Sequence, residues 1–142
     1  METDETCPTL TYNTIGRHQS RLVRTRVCST LSPWFAEARV GEVYTVPVSH
    51  GEGRFLASEA CIRQLAAGGQ ILTQYVDLEG RAATDVRYNP NGSAAAIEGI
   101  CSPDGRVFGK MGHSERIGDG LYKNVPGPYD LGLFRSAVKF FK

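Results

Sequence analysis

Short apolar runs limit the fold of this chain more than any other property of its sequence. Between Leu10 and Met111 almost every run of apolar and β-branched residues is closed by glycine, proline, asparagine, aspartate or serine. That is the pattern of strands joined by turns, and most of the runs are too brief for helices. Residues 10–15 and 20–27 read as two strands around Gly16. In the second, Val23, Thr25 and Val27 alternate with Leu22, Arg24 and Arg26, so the two sets face opposite ways. Residues 43–48 (VYTVPV) form a more continuous apolar stretch and read as a buried strand, which Pro47 confines to an edge or terminal position. Residues 70–76, 84–88, 96–101 and 106–111 complete the strand signals, the last two flanking the hairpin sequence Ser102-Pro-Asp-Gly105. Helical patterns are few. Ser58 can cap one helix, with Cys61, Ile62, Leu65 and Ala66 on its apolar face and Gly68-Gly69 as its stop. Asp130 can cap a second, in which Leu133, Phe134, Ala137, Val138 and Phe141 share one face.

Composition narrows the function classes. The chain has 142 residues, 41% of them hydrophobic and 22% charged, with 16 Lys and Arg against 15 Asp and Glu. A single soluble domain over residues 1–142 is expected. A net charge of +1 argues against binding nucleic acid or a membrane surface by bulk electrostatics, so any activity should be local. No apolar run approaches the roughly 18 residues of a membrane span, and METDETCPTL at the start is polar and acidic rather than signal-like. Cys7, Cys28, Cys61 and Cys101 match no metal-knuckle spacing and read as free thiols of a cytoplasmic protein.

The segment with most chemical content is Gly112-His113-Ser114-Glu115-Arg116. In extended backbone His113 and Glu115 would project to the same side, where a carboxylate can fix an imidazole tautomer and stabilise the imidazolium. A solvent-facing His and Glu at a strand end is the plain alternative. A nucleophile is harder to find. Gly99-Ile100-Cys101 comes nearest to a G-x-C turn, but hairpin residues follow it rather than a helix that could supply oxyanion donors. Cys7 precedes a proline, Cys28 closes a strand and Cys61 lies on a helix face, none a setting that activates a thiol. His50, Glu52 and Arg54 sit among glycines at a strand end, where backbone can approach a ligand. His50, Glu52 and His113 have the composition of a metal site but no supporting spacing. Arg17, His18, Arg21, Arg24 and Arg26 form a basic stretch, which keeps a small β-rich interaction or nucleic-acid-binding module open as the alternative reading.

In order and spacing, TYNTIGRHQSRLVRTRV, PVSHGEGRF, YVDLEG, YNPNGS, AIEGICSPDGRVFGKMGHSER and the final helix resemble one family. It is the glutaminase domain of phosphoribosylformylglycinamidine synthase, a class I glutamine amidotransferase, and the resemblance covers its C-terminal part. It implies a partial α/β amidotransferase fold: a mixed sheet with antiparallel hairpins and a C-terminal helix packed on it. It also implies a Cys-His-Glu triad in which His113 is the base and Glu115 its orienting partner. His50, Glu52 and Arg54 match a segment near the glutamine pocket, and Arg17 and Arg21 match a pocket-wall and interdomain segment. No cofactor is expected in this chain; ATP and Mg would belong to the synthetase domain, which with the N-terminal half of the glutaminase domain would be the partner. Relatives often read P-H-P-E-R where this chain has Gly112 and Ser114 in place of the prolines. The family's G-x-C-N-G nucleophile turn should precede residue 1, so the chain is expected to be the C-terminal half of the domain and inactive alone.

Overall fold

The nine-residue strand β2 (Gln19–Val27) carries the alternation expected of it, with Val23, Thr25 and Val27 buried. Strands β3 (Val43–His50) and β5 (Ile71–Tyr75) pair with it, and β6 (Ile97–Cys101) and β7 (Phe108–Lys110) extend the sheet to the order β3-β2-β5-β6-β7. These positions come from a computed structural model that describes residues 7–142. A separate ribbon joins β1 (Thr9–Thr11) to β4 (Arg54–Leu56), with Leu10 opposite Phe55. Every pairing between these strands is antiparallel, so among the described residues the expected mixed sheet is present through its antiparallel part.

Pro47 lies in the edge strand β3, opposite Leu22, where its missing N–H costs no ladder bond. The sheet curls far enough for the chain leaving β7 to return to this edge. The His113 N–H donates to the Pro47 carbonyl at 2.9 Å, and the Thr45 N–H donates to Pro128 at 2.9 Å. Among the described residues three apolar clusters fill the interior. One contains Val27, Phe35, Ala38, Leu72, Cys101, Leu131 and Leu133; the second joins Val23, Val46, Val48, Tyr75 and Ala96; the third joins Phe55, Leu65 and Ile97. Helix α1 (Glu59–Ala67) is capped by the Ser58 hydroxyl, which accepts the Cys61 N–H at 3.1 Å, and ends at Gly68 as expected.

Three expectations are corrected. Residues 84–88 form turns instead of a strand, because Asp85 captures the local donors. Its carboxylate accepts the Arg87 N–H at 2.8 Å, and its carbonyl accepts the N–H groups of Tyr88 and Asn89, which is the competition that keeps aspartate out of strands. The first strand stops at Thr11, since the buried Asn13 leaves the ladder to bond the Arg17 and His50 carbonyls. Finally, α2 (Leu133–Phe141) starts from Gly132 rather than from a side-chain cap, and Asp130 accepts the Gly132 N–H just ahead of it. This helix buries Leu133, Ser136 and Ala137 against the Pro33–Phe35 turn, while Phe134, Val138 and Phe141 are more than half exposed.

Candidate active site

The site begins where β7 ends. After Lys110 the backbone leaves the sheet, and a β-turn follows in which the Arg116 N–H donates to the His113 carbonyl at 3.1 Å. That turn, and not the extended backbone expected from the sequence, folds Glu115 back against His113. Nδ1 of the imidazole lies 2.7 Å from the Glu115 carboxylate. A carboxylate can only accept, so Nδ1 carries the proton and the lone pair of the neutral ring is on Nε2. Nε2 is buried and has no hydrogen-bond partner among the described residues.

His50, the last residue of β3, completes this corner. Its Nε2 donates to the Met111 carbonyl at 2.5 Å, and its ring lies over that of His113 with centroids 5.1 Å apart and planes 8° from parallel. Burial is the largest influence on the Glu115 carboxyl and pushes its pKa up. Its own backbone N–H, the His113 ring and the Arg116 charge outweigh that effect and hold it below the ordinary carboxylate value. Glu115 is therefore ionised at neutral pH, as an orienting partner must be.

The turn after His50 is held from below. The Gly53 N–H donates to the Asn13 side chain at 3.1 Å, and a Cβ on Gly53 would run into the Asn91 amide. Ser93 accepts the Phe55 N–H at 3.1 Å, and Asn89 bonds both backbone groups of Ser93. Asn89, Asn91 and Ser93 are all buried, so the two segments HGEGR and NPNGS pack on one another. Glu52 is exposed at the tip of this turn, and Arg54 donates to the Gly92 carbonyl at 3.3 Å.

A model of the CobB/CobQ-like glutamine amidotransferase domain matches residues 1–141. The chain belongs to that family. Subunit PurQ of phosphoribosylformylglycinamidine synthase from Acaryochloris marina is 42% identical over 97 residues, 68% of this chain and 40% of the relative. The Rubrobacter xylanophilus PurQ is 37% identical over 122 residues, 86% of this chain and 49% of the relative. A solved structure, that of PurLQS from Thermotoga maritima, superimposes with a TM-score of 0.72 at 25% identity, covering 96% of this chain and 54% of that one. The chain spans less than half the length of these curated relatives.

Within this amidotransferase fold the structure brings His50, His113 and Glu115 together, with Glu52 and Arg54 on the adjoining turn. The basic stretch is spent elsewhere. Arg21 donates to the Val86 and Arg87 carbonyls, Arg24 to Asp77 and Leu78, and Arg26 to Gly80; Arg17 is exposed. These guanidinium groups pin the 77–88 loop, which disfavours the nucleic-acid alternative. Cys101 is buried, and desolvation with the nearby Asp104 charge pushes its thiol up; burial does the same at Cys28 against Arg26. No cysteine among the described residues bonds Nε2 of His113. A group that sequence reasoning missed lies beneath the site. Glu98 is buried in β6 beside Thr73, Lys110 and Gly112, and its signal was a lone carboxylate inside the apolar strand sequence AIEGIC.

Proposed function

We propose that this chain supplies the base and its orienting carboxylate to the glutaminase of a phosphoribosylformylglycinamidine synthase. That enzyme releases ammonia from glutamine and passes it to formylglycinamide ribonucleotide in purine biosynthesis. The observation that carries the reading is the His113–Glu115 pair, with Nδ1 bonded at 2.7 Å and Nε2 without a partner among the described residues. Nε2 is the atom that takes a proton from an approaching thiol. The thiolate then attacks the glutamine carboxamide carbon, and the imidazolium, steadied by Glu115, returns the proton to the departing ammonia. Water hydrolyses the resulting thioester by the same base.

The nucleophile in this reading is a cysteine from the part of the amidotransferase that relatives have and this chain does not span. His50, Glu52 and Arg54 border the glutamine pocket in this reading, whereas Arg21, engaged with the Val86 and Arg87 carbonyls, is left out of it. In this reading ATP and magnesium belong to the synthetase partner, and no cofactor is assigned to this chain. A cytoplasmic site of action fits this role.

Ammonia assays test the reading. The chain alone should release none from glutamine, because loss of a triad nucleophile costs on the order of 10⁶-fold. Steady release abolished by His113→Ala would overturn the missing nucleophile. In the assembled synthase, Glu115→Gln should impair synthesis from glutamine and spare synthesis from free ammonia. Equal loss of both would remove His113 and Glu115 from the glutaminase.

A further inference from the structure

The base sits between two residues with little conformational restraint of their own, Gly112 and Ser114. Glycine at 112 is required by close approach, since a Cβ there would lie 2.7 Å from Val46 methyl carbons and 2.9 Å from a Glu98 oxygen. Yet glycine also leaves the backbone most free. Both neighbours of His113 are tied to one buried ion pair. The Glu98 side chain is 0% exposed and that of Lys110 8%, with 3.1 Å between Nζ and Oε1. Oε1 also accepts the Gly112 N–H at 2.5 Å, and Oε2 accepts the Thr73 hydroxyl. Lys110 donates in addition to the Gly112 carbonyl at 3.1 Å and to the Ser114 hydroxyl at 3.2 Å. Two ammonium protons and both carboxylate oxygens are thereby hydrogen-bonded, with the opposite charges of Lys110 and Glu98 in direct contact.

Stability is a poor explanation for such an arrangement, because a buried ion pair does little better than apolar residues of the same volume. We propose that the Glu98–Lys110 pair is a positioning clamp for His113, fixing Gly112 and Ser114 so that the imidazole keeps its bond to Glu115 and presents Nε2 in one direction. The clamp rests on the reading of His113 as the base, and neither Glu98 nor Lys110 touches substrate. A misplacement of about 1 Å at a catalytic group can cost on the order of 100-fold in rate, which is the size of effect a flexible Gly112 invites.

The test reads the imidazole directly, by NMR of the full chain with ring-¹⁵N histidine. The unaltered chain should show a protected Nδ1–H on His113. The double substitution Glu98→Gln, Lys110→Met removes both charges at near-constant volume. It should raise the exchange rate of that proton at least about tenfold while circular dichroism is unchanged. Adding Ser114→Pro should restore much of the protection, because residue 114 is the second position of the β-turn, where proline is favoured. A merely structural pair would gain nothing from that proline. Ser114→Ala removes one arm of the clamp without disturbing a buried charge and should raise exchange about threefold, the worth of one modest hydrogen bond; it decides the matter if the double variant does not fold. A protected Nδ1–H that neither variant changes would overturn the clamp and leave His113 as base. Absence of the protected proton in the unaltered chain would overturn the reading of His113 itself.

Discussion

The His50 ring lies parallel to that of His113 at 5.1 Å while its Nε2 holds the Met111 carbonyl. His50 thus braces His113 through a ring face and through the backbone two residues earlier. Truncating it should remove a hydrogen bond and leave a part-buried carbonyl unpaired, at about 1–3 kcal/mol. Urea unfolding of His50→Ala should register that loss, and His50→Gln, which keeps an N–H donor, should recover part of it. Equal stability of His50→Ala and the unaltered chain would count against the bracing role.

Acid should break the His113–Glu115 pair late. The Glu115 carboxyl is lowered from its ordinary value of 4.5. The folded state therefore holds the ionised form more tightly than the unfolded chain does. Its stabilising effect is complete above 4.5 and fades as pH falls through the lower folded value. Glu115 is more than half exposed, so solvent keeps the effect on global stability small, and the local bond is the better readout. The protected Nδ1–H should persist at pH 5 and disappear only below 4.5. In Glu115→Gln that acid step should be missing. Loss of the proton well above 4.5 with Glu115 intact would contradict the lowered carboxyl.

Gly53 and Gly51 give a paired test of the turn below the site. A Cβ at Gly53 would meet the Asn91 side chain, with Cγ at 2.8 Å, and His50 Cβ at 2.9 Å, whereas one at Gly51 meets nothing within 4 Å. Gly53→Ala should cost about 1–3 kcal/mol, as overpacking does in a close-packed interior. Gly51→Ala should stay within about 0.5 kcal/mol, the range of a change at an uncrowded surface position. Thermal melts of the two variants check the contrast.

These packing relationships mark what the sequence could and could not convey. Strands with one buried face were legible because their side chains alternate, as in Val23, Thr25 and Val27. Pro47 placed its strand at the sheet edge for a similar local reason. The pairing of His113 with Glu115 was legible as an i, i+2 relation, but its cause was not. A turn closed by Arg116 makes the contact, and turn and strand both permit that spacing. The role of Asn89, Asn91 and Ser93 depends on Gly53, some 40 residues away, and no local pattern contains such a partner. For α2 the periodicity was correct but three of the five residues of its apolar stripe, Phe134, Val138 and Phe141, are exposed, since periodicity says which residues share a face and not what lies against it.

Alkaline pH should destabilise the chain through two tyrosines. Burial raises the Tyr44 hydroxyl from 10.0 to about 12, assisted by Glu42, whose carboxylate accepts the phenol proton at 2.5 Å. Burial also raises Tyr75 well above 10.0, with the Glu98 charge adding to the effect and the Asn91 bond opposing it. Raised phenol values mean that the folded chain keeps protons which the unfolded chain gives up. The stabilisation is complete below pH 10 and is lost as pH rises toward and through the folded values. Stability measured by urea unfolding should therefore fall steadily above pH 10. Tyr44→Phe should flatten the part of that fall between pH 10 and about 12. Tyr75→Phe should flatten the remainder, and should lower stability at neutral pH by about 1–3 kcal/mol, because the Asn91 amide loses its acceptor. A stability profile that is level from pH 9 to 11 in the unaltered chain would show that neither hydroxyl is held as the structure places it.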